Sequence, residues 1–219
     1  MPTRPKISEA EILEQYRVAF DNALKQPDIA SALARIGFDA ATIAQGEELL
    51  NNAVAAYNDN KTRDDEKTKH YQNWVDLKMQ IARRYSVDRK IAKILFRHDP
   101  VAKEKLGLKG ALPRTYVNWL EAVKKYYSVA TTDQQILSDL NRLNLSPEYL
   151  TQTLHMITGL DTARAQYLKT VGEAQNATKA KNAALANIIH WMQNFYALAK
   201  IALKDRPQLL EALGKFVRS

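Results

Sequence analysis

Apolar residues recur every three or four positions along most of the chain, which is the period of an amphipathic helix. Near the N-terminus they are Ile12, Tyr16, Phe20 and Leu24, and near the C-terminus they are Leu185, Ile188, Met192, Phe195, Ala199 and Ala202. No segment of comparable length alternates apolar and polar residues between turn residues, as a strand would. The pattern therefore predicts an all-α protein.

The chain also repeats itself at a gapless offset of 107 residues. Pro100 and Gly107 recur as Pro207 and Gly214. Helices rich in Ala, Leu and Lys can align by chance, but helical composition does not place matching prolines and glycines. Other pairs at this offset are Leu13 and Leu120, Ile29 and Ile136, Leu33 and Leu140, and Ile81 and Ile188. We predict a tandem duplication, with repeat unit 1 over 1–112 and repeat unit 2 over 113–219.

Each predicted half contains two shorter helices followed by long ones, which we expect to form an antiparallel bundle with short accessory helices. Ser146 and Pro147 are a typical N-cap and first helical residue for one of the long helices. The polar stretch Asn58–Lys69 is compatible with a tight loop or with a continuous helix. Whether the halves form separate bundles or one shared core also stays open, although the short linker Leu108–Thr115 favours close packing.

The two halves end in similar segments, Lys93–Gly110 and Lys200–Val217, which have a proline and a Leu-Gly pair at the same spacing. In each, we expect the proline to stop or kink a long helix and a Leu-Gly pair to end a short one. The repetition predicts a structural joint.

Composition is that of a soluble globular protein, with 46% hydrophobic and 26% charged residues. The absence of cysteine excludes disulfides and thiolate chemistry. No apolar run of signal-peptide type is seen at the N-terminus, so we expect a cytoplasmic location. The uncharged segment Asn182–Ala199 is nearly long enough to span a bilayer, but its amide and imidazole side chains predict a buried helix and no membrane insertion.

Sequence motifs nominate no catalytic residue and no cofactor. The zinc-protease H-E-x-x-H, the phosphate-binding loop and the dinucleotide G-x-G-x-x-G are all absent. No histidine follows a glutamate by three residues, as a di-iron bundle requires. Glu66 and His70 are four residues apart, which favours a helix-surface pair over a metal site. No metal ligand is predicted, and catalytic activity is left open.

A possible ligand pocket centres on His190, with Trp191 and Tyr196, because His190 lies in the uncharged segment. The alternative is a partly buried histidine whose ring nitrogens are satisfied by neighbouring polar groups. Nothing nearby in the sequence supplies a second ligand.

Positive charge concentrates between Arg83 and Arg114, where ten Lys and Arg face three Asp and Glu. This is +7 of a formal net charge of +8. The stretch predicts a polyanion-binding surface, with a merely solvated basic face as the alternative. The candidate residues are Arg83, Arg89, Lys90, Lys93, Arg97, Lys103 and Lys105.

A single continuous helix does not place every residue of this segment on the expected side. On a single helix Asp88 falls on the apolar side, whereas Val87, Ile91 and Ile94 fall outside it. This conflict suggests a helix break near Ser86, which would weaken the basic surface.

The function that these patterns favour is a non-enzymatic helical interaction or scaffold protein that binds a protein partner or itself. Two alternatives remain, namely nucleic-acid or other polyanion binding through 83–114 and a small-molecule or metal-binding bundle. In its helical pattern and composition the chain resembles bacterial helical proteins only generically, and that resemblance implies no activity.

Overall fold

The computed structural model describes residues 7–214, which form eight α-helices and no strand. This confirms the predicted all-α class. The helices are α1 Glu9–Lys25, α2 Pro27–Ala34, α3 Ala40–Leu95, α4 Pro100–Lys105, α5 Tyr116–Thr132, α6 Gln134–Asn141, α7 Pro147–Ala202 and α8 Leu209–Ala212.

Local chemistry sets several helix ends. Ser8 caps α1 in a capping box with Glu11, so two backbone N–H groups that the helix leaves free gain side-chain partners. The predicted cap of α7 is confirmed, since the Ser146 hydroxyl accepts from the backbone N–H of Tyr149 at 3.3 Å. Asp99 caps α4 through two bonds of 2.9 Å from backbone N–H groups, and Pro100 is the first helical residue.

The two closing joints take the predicted form at their glycines, but each long helix ends five residues before its proline, and Pro100 instead begins α4. α3 ends at Leu95, α4 follows, and Gly107 then adopts a φ of +65°. In the second joint α7 ends at Ala202, α8 follows, and Gly214 has a φ of +76°. Left-handed backbone of this kind ends helices and favours glycine. Residues 215–217 of the second segment lie outside the described residues.

α3 and α7 are each 56 residues long. The polar stretch Asn58–Lys69 lies inside α3, so the continuous helix is the correct alternative. The expected break near Ser86 is wrong, because α3 continues to Leu95. The Arg63 guanidinium lies 3.4 Å from the Asp59 carboxylate one turn earlier, a spacing that supports a solvated helix.

The chain divides into two compact units. Unit 1 consists of 1–65 and 172–219, and unit 2 is the continuous segment 66–171. Each unit therefore takes helices from both predicted halves. The predicted division into 1–112 and 113–219 follows chain order and stays a prediction.

In unit 1 the first part of α3 packs antiparallel to the second part of α7. Asn60 donates to the Thr178 hydroxyl at 3.0 Å. In the core of unit 1, α1 and α2 pack against α7 and α8. The buried residues include Leu13, Phe20, Ile29, Leu33, Ile188, Met192, Phe195 and Leu213. The Tyr196 hydroxyl donates to the Leu213 carbonyl at 3.0 Å and so fixes the segment around α8.

In unit 2 the second part of α3 packs antiparallel to the first part of α7. Tyr71 lies against Tyr167 with ring centroids 5.3 Å apart, and Arg84 donates to Thr153 at 3.1 Å. Its core packs α3 and α4 against α5, α6 and α7, through Ile81, Tyr85, Phe96, Leu106, Val123, Tyr127, Ile136 and Leu150.

Helix bounds recur at the offset found in the sequence. The first and last residues of α1, α2 and α3 lie 107 positions before those of α5, α6 and α7. This recurrence agrees with a duplication, and the homology of the two halves stays a prediction.

Candidate interaction surface

The formal charge divides unequally between the two units. Unit 2 contains 18 Lys and Arg against 10 Asp and Glu, a net charge of +8. Unit 1 contains 14 of each kind and is neutral. The whole net charge of the protein thus belongs to unit 2.

Three of the predicted polyanion-binding residues are exposed on α3 and the turn after it. They are Arg83, Lys90 and Arg97, and none makes an ion pair among the described residues. Arg83 and Lys90 are seven residues apart and lie on one side of α3, which turns about 100° per residue, and Arg97 follows at the same spacing in the turn after the helix. These side chains are available to an external anion.

Arg89 is not part of this exposed group. It is 7% exposed, and its guanidinium donates to the carbonyls of Leu108, Lys109 and Gly110 at 3.2–3.3 Å. The segment after α4 has no helix of its own to pair these carbonyls, so Arg89 satisfies them from inside the unit.

The three remaining predicted lysines have partners within unit 2. Lys93 donates to the Gly110 carbonyl at 3.2 Å, and desolvation followed by the charge of Arg89 lowers its pKa. Lys103 donates to the Arg97 carbonyl at 2.6 Å. Lys105 pairs with Asp133, the N-cap of α6, at 2.7 Å. These contacts hold the joint to its neighbours.

Two exposed apolar residues lie on the same line as the free cations. Val87 is 55% exposed and Ile94 is 70% exposed. The positions 83, 87, 90, 94 and 97 are separated by four, three, four and three residues, which is the spacing of a coiled-coil seam. We call Arg83, Val87, Lys90, Ile94 and Arg97 the α3 stripe.

The sequence contains a sign that Val87 and Ile94, the apolar members of the stripe, are exposed. Val87 and Ile94 conflicted with the core face because they belong to a second, solvent-facing row. The core row consists of Ile81, Tyr85, Asp88 and Ala92 of α3 and of Phe96 directly after it.

Asp88 completes the core row as a buried carboxylate. It is 1% exposed and accepts from the Tyr127 hydroxyl at 2.5 Å and the Tyr149 hydroxyl at 3.3 Å. Tyr126 donates to the Asp88 carbonyl at 3.1 Å. Desolvation raises the pKa of Asp88, and the two side-chain hydrogen bonds and Arg84 oppose this rise. The same burial, with the Asp88 charge, raises the pKa of Tyr149 to about 12.

The residues predicted as a ligand pocket do not converge. His190 is exposed, Tyr196 is buried, and Trp191 packs its ring 5.5 Å from that of Phe195 and 5.2 Å from that of Phe20. On one helix, positions 190, 191 and 196 point in three directions about 100° or more apart.

Tyr196 does line a surface groove of unit 1. The groove has a volume of about 400 Å³ and is lined by Tyr16, Ile189, Gln193, Tyr196, Ala197 and Lys200. Neither His190 nor Trp191 is among these lining residues.

Metal-binding geometry is also absent from residues 7–214, where no three His, Asp or Glu side chains are grouped to hold an ion. Over the same residues, no helix combines the length and the apolar character needed to cross a membrane. The segment Asn182–Ala199 lies within α7.

Comparison with known proteins gives no relative. No family model, no curated protein and no solved structure matches this chain.

Proposed function

We propose that the protein is a non-enzymatic helical interaction protein that binds an acidic partner through unit 2. The observation that carries this proposal is the division of charge, +8 on unit 2 and zero on unit 1. The two units use helices of matching bounds, so the fold alone does not require this imbalance.

Such an excess of positive charge raises the local concentration of anionic partners and speeds their association. Within unit 2 most of the basic residues near the joint bind carbonyls or carboxylates of the unit itself. Arg83, Lys90 and Arg97 do not, so an acidic partner can neutralise them without displacing an internal contact.

The test is affinity capture with cross-linking from the source cell, comparing three forms of the full chain. The reversal variant carries Arg83→Glu, Lys90→Glu and Arg97→Glu. A charge-matched control carries Lys179→Glu, Lys200→Glu and Lys204→Glu, three exposed cations of unit 1. We expect partners that the wild type and the control retain and the reversal variant loses, with capture weakened by salt. Equal recovery by all three forms contradicts the proposal.

Nucleic acid is the second candidate for the acidic partner, because three unpaired cations lie on one line. A duplex oligonucleotide should then bind with an affinity that falls steeply as salt rises. The reversal variant should lose this binding, and its absence at low salt removes this candidate.

A metal- or small-molecule-binding bundle around His190 is not proposed. Its three predicted residues point to different sides of α7, so they offer no common site.

A further inference from the structure

We propose that the α3 stripe is the docking seam for an amphipathic helix of a partner protein that alternates acidic and apolar residues. This inference rests on the proposed function, since it names the kind of acidic partner that unit 2 binds. It is carried by the spacing, exposure and chemistry of the five stripe residues.

The spacing of the stripe matches a helix. Steps of four and three residues keep side chains along one line of an α-helix, and a second helix packed along that line presents its own residues with the same period. Arg83 and Lys90 are seven residues apart within α3, or about 10 Å at 1.5 Å per residue, and Arg97 follows seven residues later in the turn after α3. An acidic residue in every heptad of a partner helix recurs at that same distance.

The exposed apolar residues of the stripe favour a partner that offers apolar side chains as well as negative charge. Val87 and Ile94 separate the three cations, and their exposed fractions of 55% and 70% leave both for a partner to cover. A phosphate backbone gains little from contact with these two side chains, because its affinity comes from charge neutralisation. A helix with apolar residues between its carboxylates covers them and pairs the cations at once.

A lipid surface fits the stripe less well. Helices that lie in a membrane interface keep a wide apolar face, commonly with Trp, Phe or Leu, and place their cations on the polar side. Here the cations and the two β-branched residues share one narrow row.

A second copy of this chain is also a poorer match. In α1 of unit 1, Glu14, Val18 and Asp21 form a short acidic and apolar row. Its carboxylates are already paired, with Arg17 at 2.6 and 3.3 Å and with Lys25 at 3.3 Å. A separate partner with free carboxylates is the occupant that the charges favour.

Unit 1 offers a position-matched control for the stripe. At the offset of 107 the corresponding residues are His190, Asn194, Ala197, Ile201 and Lys204. This row has the same spacing and exposure but contains one lysine instead of three cations. It tests whether an exposed row with this spacing binds the partner helix without the three cations.

The experiment uses the full-length chain and a fluorescent, alanine-based helical peptide of about three heptads as the probe. In the seam peptide, Glu and Leu alternate at steps of four and three. In the scrambled peptide, the same residues are spread around the helix. Fluorescence anisotropy measures both affinities, and we expect the seam peptide to bind about tenfold more tightly or better, a difference of one decade in Kd.

Two variants of the stripe separate its components. The reversal variant, with Arg83→Glu, Lys90→Glu and Arg97→Glu, should bind the seam peptide about a hundredfold more weakly. The apolar variant, with Val87→Ser and Ile94→Ser, should bind it about tenfold more weakly. His190→Glu with Ala197→Glu and Lys204→Glu should leave it within about twofold of the wild type. Circular dichroism verifies that all variants remain helical.

Failure of the inference is distinguishable from failure of the proposed function. Equal binding of seam and scrambled peptides, both lost on charge reversal, overturns the docked helix and retains an acidic partner. Tighter binding of duplex DNA, or of phosphatidylglycerol vesicles, that persists in the Val87→Ser and Ile94→Ser variant also overturns the helix. Self-association in sedimentation that the reversal variant abolishes assigns the stripe to a second copy instead. If none of these probes binds and capture is unaffected by reversal, the proposed function fails as well.

Discussion

Gly46 in α3 and Thr153 in α7 occupy matching positions, 107 residues apart, and their opposite neighbours also match. Gly46 lies beneath the ring of Trp191 in unit 1. Thr153 lies beneath Arg84 in unit 2 and accepts from its guanidinium at 3.1 Å. A small residue under a large ring in one unit thus corresponds to a hydrogen-bonded polar pair in the other.

Gly46→Ala should destabilise unit 1. A Cβ atom at this position would lie 2.5 Å from the Trp191 Cη2 atom and 2.7 Å from the Phe20 Cε1 atom. The Trp191 ring packs against the rings of Phe20, Phe38 and Phe195, so moving it would disturb these three contacts. We expect a loss of about 1–3 kcal/mol in the free energy of unfolding, measured by urea denaturation.

Gly172→Ala is the control for this substitution. Gly172 also lies within a helix of unit 1, and a Cβ there would meet no atom within 4 Å. Alanine should stabilise that position by about 0.5–1 kcal/mol, because glycine disfavours helix interiors. Equal effects of the two substitutions would refute close packing at Gly46.

Asp88 should make unit 2 lose stability as pH rises. Burial raises its pKa above the ordinary value of 3.8. A raised folded-state pKa means that its stabilising contribution is complete below the unfolded-state pKa and disappears as pH passes the folded-state pKa. Relative to Asp88→Asn, which keeps an oxygen acceptor for Tyr127, the wild type should therefore lose stability from about pH 4 upward.

Denaturant titrations of the wild type and Asp88→Asn across the acid-to-neutral range measure this difference. A wild type that gains stability over the variant as pH rises would show that the hydrogen bonds from Tyr127 and Tyr149 outweigh burial. Tyr149→Phe, which removes the weaker of these two bonds, should enlarge the loss on raising pH because it removes a group that favours the ionised carboxylate.

At the scale of elements, α3 crosses a strongly polar stretch without interruption. Ten of the twelve side chains of residues 58–69 are charged or amide groups, so this stretch buries little apolar surface. Their helix depends on pairs along its own surface, such as Asp59 with Arg63, and on the hydrogen bond from Asn60 to Thr178 in α7.

Thr62→Pro distinguishes this helix from a loop. Proline inside a helix removes a backbone hydrogen bond and clashes with the preceding turn, at a cost of about 3 kcal/mol or more. We expect lower ellipticity at 222 nm and a lower melting temperature. Thr62→Ala, at the same exposed position, should change neither by much. Full retention of helicity by the proline variant would place a loop here.

The sequence predicts the helical class, the α7 cap and the glycines of the joints well, because caps and glycines act through their nearest neighbours. Ser146 and Gly107 have their predicted roles, whereas Pro100 begins α4 and does not stop α3, which ends at Leu95. The sequence alone does not decide between a loop and a helix for Asn58–Lys69, because this part of α3 relies on α7, which local composition does not reveal. The prediction of Arg89 as an exposed cation is wrong for a related reason, since its carbonyl partners follow it by about 20 residues.

The sequence does not reveal that α3 carries an exposed row of side chains. Val87 and Ile94 do not fit the predicted core face, and a helix break explains this conflict more simply than a second row does. Only the continuous α3 shows that they share a line with Arg83 and Lys90. His190 illustrates the opposite error, because an uncharged segment suggested burial of a side chain that the helix turns toward solvent.

At the scale of the whole molecule, the two compact units have different relations to chain order. The core of unit 1 joins α1 and α2 to residues 185–213. The core of unit 2 lies entirely within 81–160. Cutting the chain at the predicted repeat boundary therefore separates the two sides of both cores, whereas the segment 66–171 keeps one core whole.

Fragments 1–112 and 113–219 should each unfold without a cooperative transition when expressed alone, because each lacks the partners of its buried side chains. Mixed in equal amounts, they should recover a cooperative thermal transition by circular dichroism and migrate as one complex in gel filtration. The continuous fragment 66–171 should fold by itself, as a domain-sized segment with its own core does. A monomeric 1–112 that melts cooperatively, checked by sedimentation to exclude pairing with its own copies, would instead show that chain-order repeats are the folding units and that the two cores are secondary to them.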